Sequence, residues 1–204
     1  MSATKGSNSI YGDAQARRRS VLDAAAELLD EGGYSALTNR AVAKRARIST
    51  GLIYQYFAHK QDIFVMLLHE SQLELTEYVR SLPRDQGVAA LLTAVVPETT
   101  RQWARVGHLV ASWREADSEV TERDSIRALR ESTDQQFAEL RRALEEAADA
   151  EGRRLRDDPA LIPFVWAGLM GLADTLVNNW ARGLVEKDAL VVYSAGALAR
   201  AITE

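Results

Sequence analysis

The 204-residue chain contains no cysteine, which excludes a disulfide framework, a thiol nucleophile and a zinc-thiolate site. A reducing compartment therefore poses it no difficulty. Proline is scarce, at four residues, and leaves room for long uninterrupted helices. His59, His69 and His108 are too few and too scattered to compose a metal site. No Asn-Gly hairpin signal, period-two strand or internal repeat is present. The longest apolar run, LIPFVWAGLMGLA from Leu161 to Ala173, is short for a bilayer span and is followed at once by Asp174. The amino terminus lacks a charged segment leading into an apolar one, so no signal peptide is expected. The expectation is a soluble, cytoplasmic chain with no membrane partner.

What is abundant points to helices. Apolar residues make up 47% of the chain, and Ala, Leu, Arg and Glu are common. The net charge of -4 conceals an asymmetry. Residues 1–60 hold nine Lys and Arg against five Asp and Glu, whereas residues 61–204 hold sixteen against twenty-four. A small basic head on a larger acidic body is the pattern of a nucleic-acid reader with a separate partner domain.

Residues 1–13, rich in Ser, Asn and Gly, read as a flexible arm. From Ala14 a stripe of Val21, Leu22, Ala25, Leu28 and Leu29 predicts a helix that Gly32-Gly33 ends. Thr38 fits as the N-cap of a short helix to Ala46, and Ser49 as the N-cap of another to Phe57. A longer helix should run from residue 60 to Ser81, before Pro83. Two more are expected on either side of Pro97, then a long amphipathic one through Ile126, Leu129, Phe137, Leu140 and Leu144. Asp158-Pro159 reads as a helix start and Gly183 as its stop, and Asp188 as the cap of a final helix to Ala201. The expected architecture is all-α: a three-helix head at 14–59 and a larger helical body at 60–204, about nine helices in total.

Two short helices joined by a tight turn, with Ala43 at their contact, compose a helix-turn-helix. Val42, Ala46, Ile48, Ile53 and Phe57 are placed to pack inward against Leu22, Ala25 and Leu29. The second helix then presents its N-terminal end, Ser49-Thr50-Gly51, outward, the end that enters a major groove. Hydroxyls there suit phosphates or base edges, and glycine lets a backbone approach closely. Tyr54 and Tyr56 add phenolic donors one turn later, and Lys60 adds a charge. The alternative is that both tyrosines are half-buried core residues of an ordinary three-helix unit.

Residues 17–64 resemble the DNA-binding domain of the TetR family of transcriptional regulators. The resemblance lies in LDAAAELLDEGGYSALTNRAVAKRARISTGLIYQYFAHKQDIF: the threonine before helix two, the alanine within it, and Tyr54-x-x-Phe57 followed by Lys60. It implies that Thr38 caps helix two and touches a phosphate, that Arg40 reads a base, and that Thr50, Gly51 and Tyr54 meet the groove. Tyr56 and Lys60 fall at phosphate positions, and Gln55 at either kind. Arg17 to Arg19 are further phosphate candidates or a solvated charge run. The sequence departs from the family's pattern at Arg47, where the turn usually holds glycine; a left-handed arginine would cost about 1 kcal/mol. It departs again at His59, where a short capping residue is common.

The resemblance further implies a homodimer, a double-stranded DNA operator and a small-molecule effector, with no cofactor. Trp166, Val177, Leu190, Tyr193 and Ala197, on the last two helices, are the dimer candidates, with a core helix of a monomer as the alternative. Effector candidates are Trp103, His108 and Trp113 on one helix and Met170, Asp174 and Asn178 on another; polar groups satisfied within the protein are the alternative. An enzyme finds little support. Gly-x-Ser-x-Gly, a phosphate loop and the dinucleotide glycine pattern are missing, and Leu73 stands where His69-Glu70 would need a second histidine. A non-specific architectural DNA binder is the remaining rival.

Overall fold

The computed structural model describes residues 7–57, 59–114 and 124–204. Among them are eight helices: α1 Ser7–Ala36, α2 Asn39–Ala46, α3 Thr50–Tyr56, α4 Lys60–Ser81, α5 Gly87–Arg114, α6 Asp124–Ala150, α7 Leu161–Asn178 and α8 Lys187–Ile202. An isolated antiparallel bridge between Leu155 and Thr203 ties the C-terminal residues to the α6–α7 connection.

The expected caps are present at the head. Thr38 has extended backbone and its hydroxyl accepts from the Ala41 N–H at 3.1 Å, while Ser49 does the same for Leu52 at 3.2 Å. Gly33, at φ 63°, breaks α1 before its last turn, a conformation that costs glycine little. Helix α4 starts differently from a serine-capped helix: the Asp62 carboxylate accepts from the exposed His59 N–H at 3.0 Å. That bond satisfies a terminal donor without a cap from the histidine ring.

Several boundaries differ from the sequence expectation. Helix α1 begins at Ser7, inside the segment read as a flexible arm. Pro97 does not divide two helices but lies within α5, so eight helices stand where nine were expected. Proline removes one backbone bond, yet Val95, Val96 and Thr99 around it are buried, and α5 packs against α7 and α8 along this stretch. Helix α7 starts at Leu161, with the Asp158 carboxylate accepting from Ala160 N–H at 2.7 Å. It stops at Asn179, left-handed at φ 56°, before Gly183 is reached. Asp188 lies in the first turn of α8, and Glu186 holds the cap position.

Two large apolar clusters result among the described residues, beside a small one of Val65 and Ile126. One joins Val21, Leu22, Ala25, Leu29, Val42, Ala43, Ile53 and Phe57 of the head to Ile63, Phe64, Leu67 and Leu68 at the start of α4. The other packs Leu75 and Val79 of α4 with α5, α6, α7 and α8. By length and composition α7 is apolar enough to cross a membrane. One of its faces, from Leu161 through Val165, Leu169, Leu172 and Leu176, lies in the body's core.

Candidate nucleic-acid interface and ligand cavity

The head holds a polar and aromatic face on an apolar base. Val42 and Ile53 are fully buried and Phe57 nearly so, which fixes α3 against α1 and α2. Above them Thr38, Arg40, Ser49, Thr50, Gly51, Tyr54 and Gln55 are all exposed, Tyr54 at 56%. Tyr56 is half-buried against the head's core, so it combines the two readings the sequence left open. A Cβ built on Gly51 would meet nothing closer than Ser49 Oγ at 3.9 Å. The fold itself does not require glycine there. The side chain of Lys60 lies outside the described part of the structure.

The turn between α2 and α3 is left-handed at Arg47, φ 55° and ψ 41°. Its N–H donates to Lys44 O at 3.3 Å and the Ile48 N–H to Ala43 O at 3.0 Å, the paired bonds of a Schellman stop. Arg47 is exposed and makes no ion pair among the described residues. Arg45, which no local pattern marks, joins α2 to α1 through Glu27 at 2.9 Å and Glu31 at 2.6 Å. The hydrogen bond from Arg45 holds the Glu31 carboxyl below its ordinary value. Arg19 is not free for a phosphate, because it bonds Asp23 and Glu70. Arg18 stacks over the Phe57 ring at 5.5 Å.

In the body, a cavity of about 80 Å³ opens between α4, α5, α6 and α7. Trp103 and Met170, two of the effector candidates, line it together with Trp166. Trp166, half-buried, turns one ring face to this cavity, edge-on to Phe137 at 6.0 Å. Asp174 and Asn178 are not in the lining. The Asp174 carboxylate accepts from Trp103 Nε1 at 2.9 Å, Asn178 Nδ2 at 2.7 Å and Trp180 Nε1 at 3.2 Å, so it is satisfied within the protein. The side chains of His108 and Trp113 lie outside the described residues.

Residues 21–67 match the family described as bacterial regulatory proteins, tetR family. The head is thus similar in sequence to the DNA-binding part of the tetR family. It is 37% identical over 87 residues to the transcriptional regulator HbdR of Aromatoleum sp. (strain CIB), covering 41% of this chain and 37% of that protein. It is 42% identical over 67 residues to the repressor KstR of Rhodococcus jostii (strain RHA1), covering 32% of each. The matches thus span about a third of the length of these curated relatives. The fold extends further: the regulator FadR of Bacillus subtilis, solved in complex with stearoyl-CoA, superposes with a TM-score of 0.59 over 90% of this chain and 98% of that one, at 19% identity.

On the body, the outer faces of α7, α8 and their connection expose Phe164, Val177, Trp180, Leu184, Val192 and Tyr193. Of the dimer candidates, Val177 and Tyr193 lie on this face. Leu190 and Ala197 are half-buried, and Leu190 packs against the body's own core. Among the described residues two ion pairs cross from head to body: Arg19 to Glu70 at 2.7 Å, and Arg105 of α5 to Asp30 of α1 at 2.6 Å. Each joins residues more than fifty positions apart, beyond the reach of any local pattern.

Proposed function

We propose that this chain is a sequence-specific DNA-binding transcriptional regulator, a repressor that binds a near-palindromic operator as a homodimer and is released by a small-molecule effector. The observation that carries the reading is the exposed Ser49, Thr50, Gly51, Tyr54 face of α3, set on buried Val42, Ile53 and Phe57. Thr50, Gly51 and Tyr54 meet base edges, Arg40 reads one base, and Thr38, Tyr56 and Lys60 hold phosphates, with Ser49 and Gln55 available to either. Such a head reads only a few base pairs. Two of them, one helical turn of DNA apart, supply the specificity, and the exposed apolar face of α7 and α8 is the surface that pairs the two copies. The domains divide the work: the head to residue 59 binds DNA, and the body from residue 60 holds the effector and the partner copy, in the cytoplasm where operator DNA is reached.

Release follows from differential affinity. An effector that favours a form with wrongly spaced heads draws the dimer off DNA by the ratio of its affinities for the two forms. Helix α4 and the Arg105–Asp30 and Arg19–Glu70 pairs join the cavity's walls to α1 and carry the change. Stearoyl-CoA, the ligand of the Bacillus FadR structure, is not carried over. Its nucleotide phosphates need cationic partners, and among the described residues the cavity lining holds no charged side chain.

Selection of bound sequences from random duplex DNA at physiological salt tests the reading. The expected product is one near-palindrome whose half-sites lie about 10 base pairs apart, and Arg40→Ala relaxes preference at one position by ~1 to 3 kcal/mol. Equal binding of all duplexes identifies an architectural binder instead.

A further inference from the structure

The body cavity carries more chemical information than its position. Among the described residues, no Lys, Arg, His, Asp or Glu lines it. A charged group entering would lose its hydration with no partner of opposite sign. The polar groups that do line it are of two kinds. Gln72 and Gln102 are engaged: Gln72 Oε1 accepts from Ser132 Oγ at 2.7 Å and Thr133 Oγ1 at 3.1 Å, and Gln102 Nε2 donates to Ser71 O at 2.7 Å. The Ser71 hydroxyl and the Gln136 carboxamide are not. They are 8% and 7% exposed, on α4 and α6, and their side chains bond nothing among the described residues. Their polar atoms are not sealed within the protein, unlike those of Asn39, His69 and Thr100, so two such groups without protein partners on the wall of one cavity are open to a ligand's polar atoms.

The apolar part of the lining favours a flat molecule. The Trp103 indole lies across Gly107, where a Cβ would come within 2.2 Å of the ring, and its N–H is fixed by Asp174. Trp166 is fixed by Phe137. Two indoles held in place offer ring faces and edges, and Met170 in the same lining adapts to shape. Size adds a constraint. A cavity of ~150 Å³ is known to admit a benzene ring, and this one has about 80 Å³. A second space of about 100 Å³ lies at the seam of head and body and shares Ser71 and Val106 as walls; its charged groups, Arg19, Glu70, Glu74 and Arg105, are already paired, Arg19 with Glu70, Glu74 with Arg101 and Arg105 with Asp30, so they offer no unneutralised charge to a ligand. Turning Val106 aside joins them.

We infer that this cavity binds a small uncharged molecule, one aromatic ring bearing a hydroxyl or carbonyl group, with the ring between Trp103 and Trp166 and the polar group on Gln136 and Ser71. The inference rests on the regulator reading and names the ligand class of its effector site. It also connects binding to the head, because Val106 adjoins Arg105, whose guanidinium holds Asp30 of α1. A ring that displaces Val106 moves the residue beside that link.

Calorimetric titration of the full-length protein with p-cresol, acetophenone, toluene and benzoate tests this. The neutral polar rings should bind at least tenfold tighter than benzoate, and tighter than toluene. Gln136→Leu should reduce the affinity for p-cresol and acetophenone at least tenfold and leave toluene unchanged. Benzoate binding as tightly as the neutral rings, no binding of either polar ring, or an unchanged affinity in Gln136→Leu would each overturn the proposal. If Gln136→Leu does not fold, the comparison of the four compounds on the unmodified protein decides alone. Selection of DNA, performed without ligand, separates the two readings. A chain that selects an operator but prefers benzoate remains a regulator with a different effector class; one that binds p-cresol but selects no sequence keeps the site and loses the regulator reading.

Discussion

Arg47→Gly separates the cost of a residue from its use. Arg47 occupies the left-handed region, where a side chain costs ~1 to 2 kcal/mol and glycine nearly nothing. Against this stands glycine's greater freedom in the unfolded chain, about 0.5 to 1 kcal/mol. Both backbone bonds of the stop, Arg47 N–H to Lys44 O and Ile48 N–H to Ala43 O, survive the substitution. No ion pair among the described residues is removed, since the arginine makes none. The net expectation is a gain of about 0.5 to 1 kcal/mol, a rise in Tm of ~1 to 4 °C for a chain of this size. Thermal unfolding followed by circular dichroism measures it. An unchanged or lower Tm refutes the claim that the turn is strained. Operator binding across a salt series gives the second readout. If Arg47 holds a phosphate, the variant binds more weakly, and the slope of log K against log salt falls by about 0.9 for each phosphate it no longer neutralises. A stabilised variant with unchanged slope would leave the arginine without a role in DNA binding.

Gly51→Ala should leave Tm unchanged or slightly raised, because the added methyl has open space and alanine favours a helix by up to ~1 kcal/mol, yet it should weaken operator binding; unaltered affinity in a mobility-shift titration would remove the close-approach role. Tyr193→Glu with Leu184→Asp places charge on the exposed α7–α8 face and should yield monomers by sedimentation, with operator affinity lost; a persisting dimer would place the interface elsewhere. The Arg105–Asp30 pair is partly exposed, at 26% and 52%, so a double-mutant cycle on stability should give no more than ~1 kcal/mol. The same cycle on operator affinity should show effector response reduced when either partner is alanine, and a full response would exclude the link as a route. For Glu139, burial opposes ionisation, and Arg142 with Arg80 outweighs it, so its carboxyl stays below the ordinary value. Its folded pKa is depressed, so its stabilisation is present above the unfolded value of about 4.3 and is lost as pH falls through the lower folded value. The Tm gap between the wild-type protein and Glu139→Gln should therefore shrink from about pH 7 to about pH 3; a constant gap would contradict it.

Legibility followed the range of the interaction. Thr38 and Ser49 were readable as caps because a cap acts over three residues, and Arg47 stood out because a tight stop favours glycine for steric reasons. Pro97 misled because its local cost is real, and only the packing of Val95, Val96 and Thr99 overrides it. The orientation of Trp166 was hidden for a related reason. A helix apolar on several faces does not state which face meets its own core, so the period of α7 could not assign Trp166 inward and Val177 outward. The three hydrogen bonds of Asp174, from Trp103, Asn178 and Trp180, were hidden because the first partner lies 71 positions away. Arg19, Arg45 and Arg105 were invisible as clips, since charge patterning along one helix does not name a partner on another.

The two apolar clusters meet along α4, and the passage between them is polar. Leu68 ends the head's cluster on this helix and Leu75 begins the body's, with Ser71 and Gln72 between. Facing them are Thr99 and Gln102 of α5 and Ser132 and Gln136 of α6, all buried. This belt interrupts what would otherwise be one continuous core, and the cavity lies in it. Close-packed cores move as blocks between discrete arrangements rather than deforming smoothly. A hydrogen-bonded belt between two such blocks can exchange partners, side chain for ligand, at smaller cost than repacking either block. Placing the unpaired groups Ser71 and Gln136 in the belt therefore puts ligand recognition at the joint of the molecule, where a change in bonding is felt as a change in the angle between head and body.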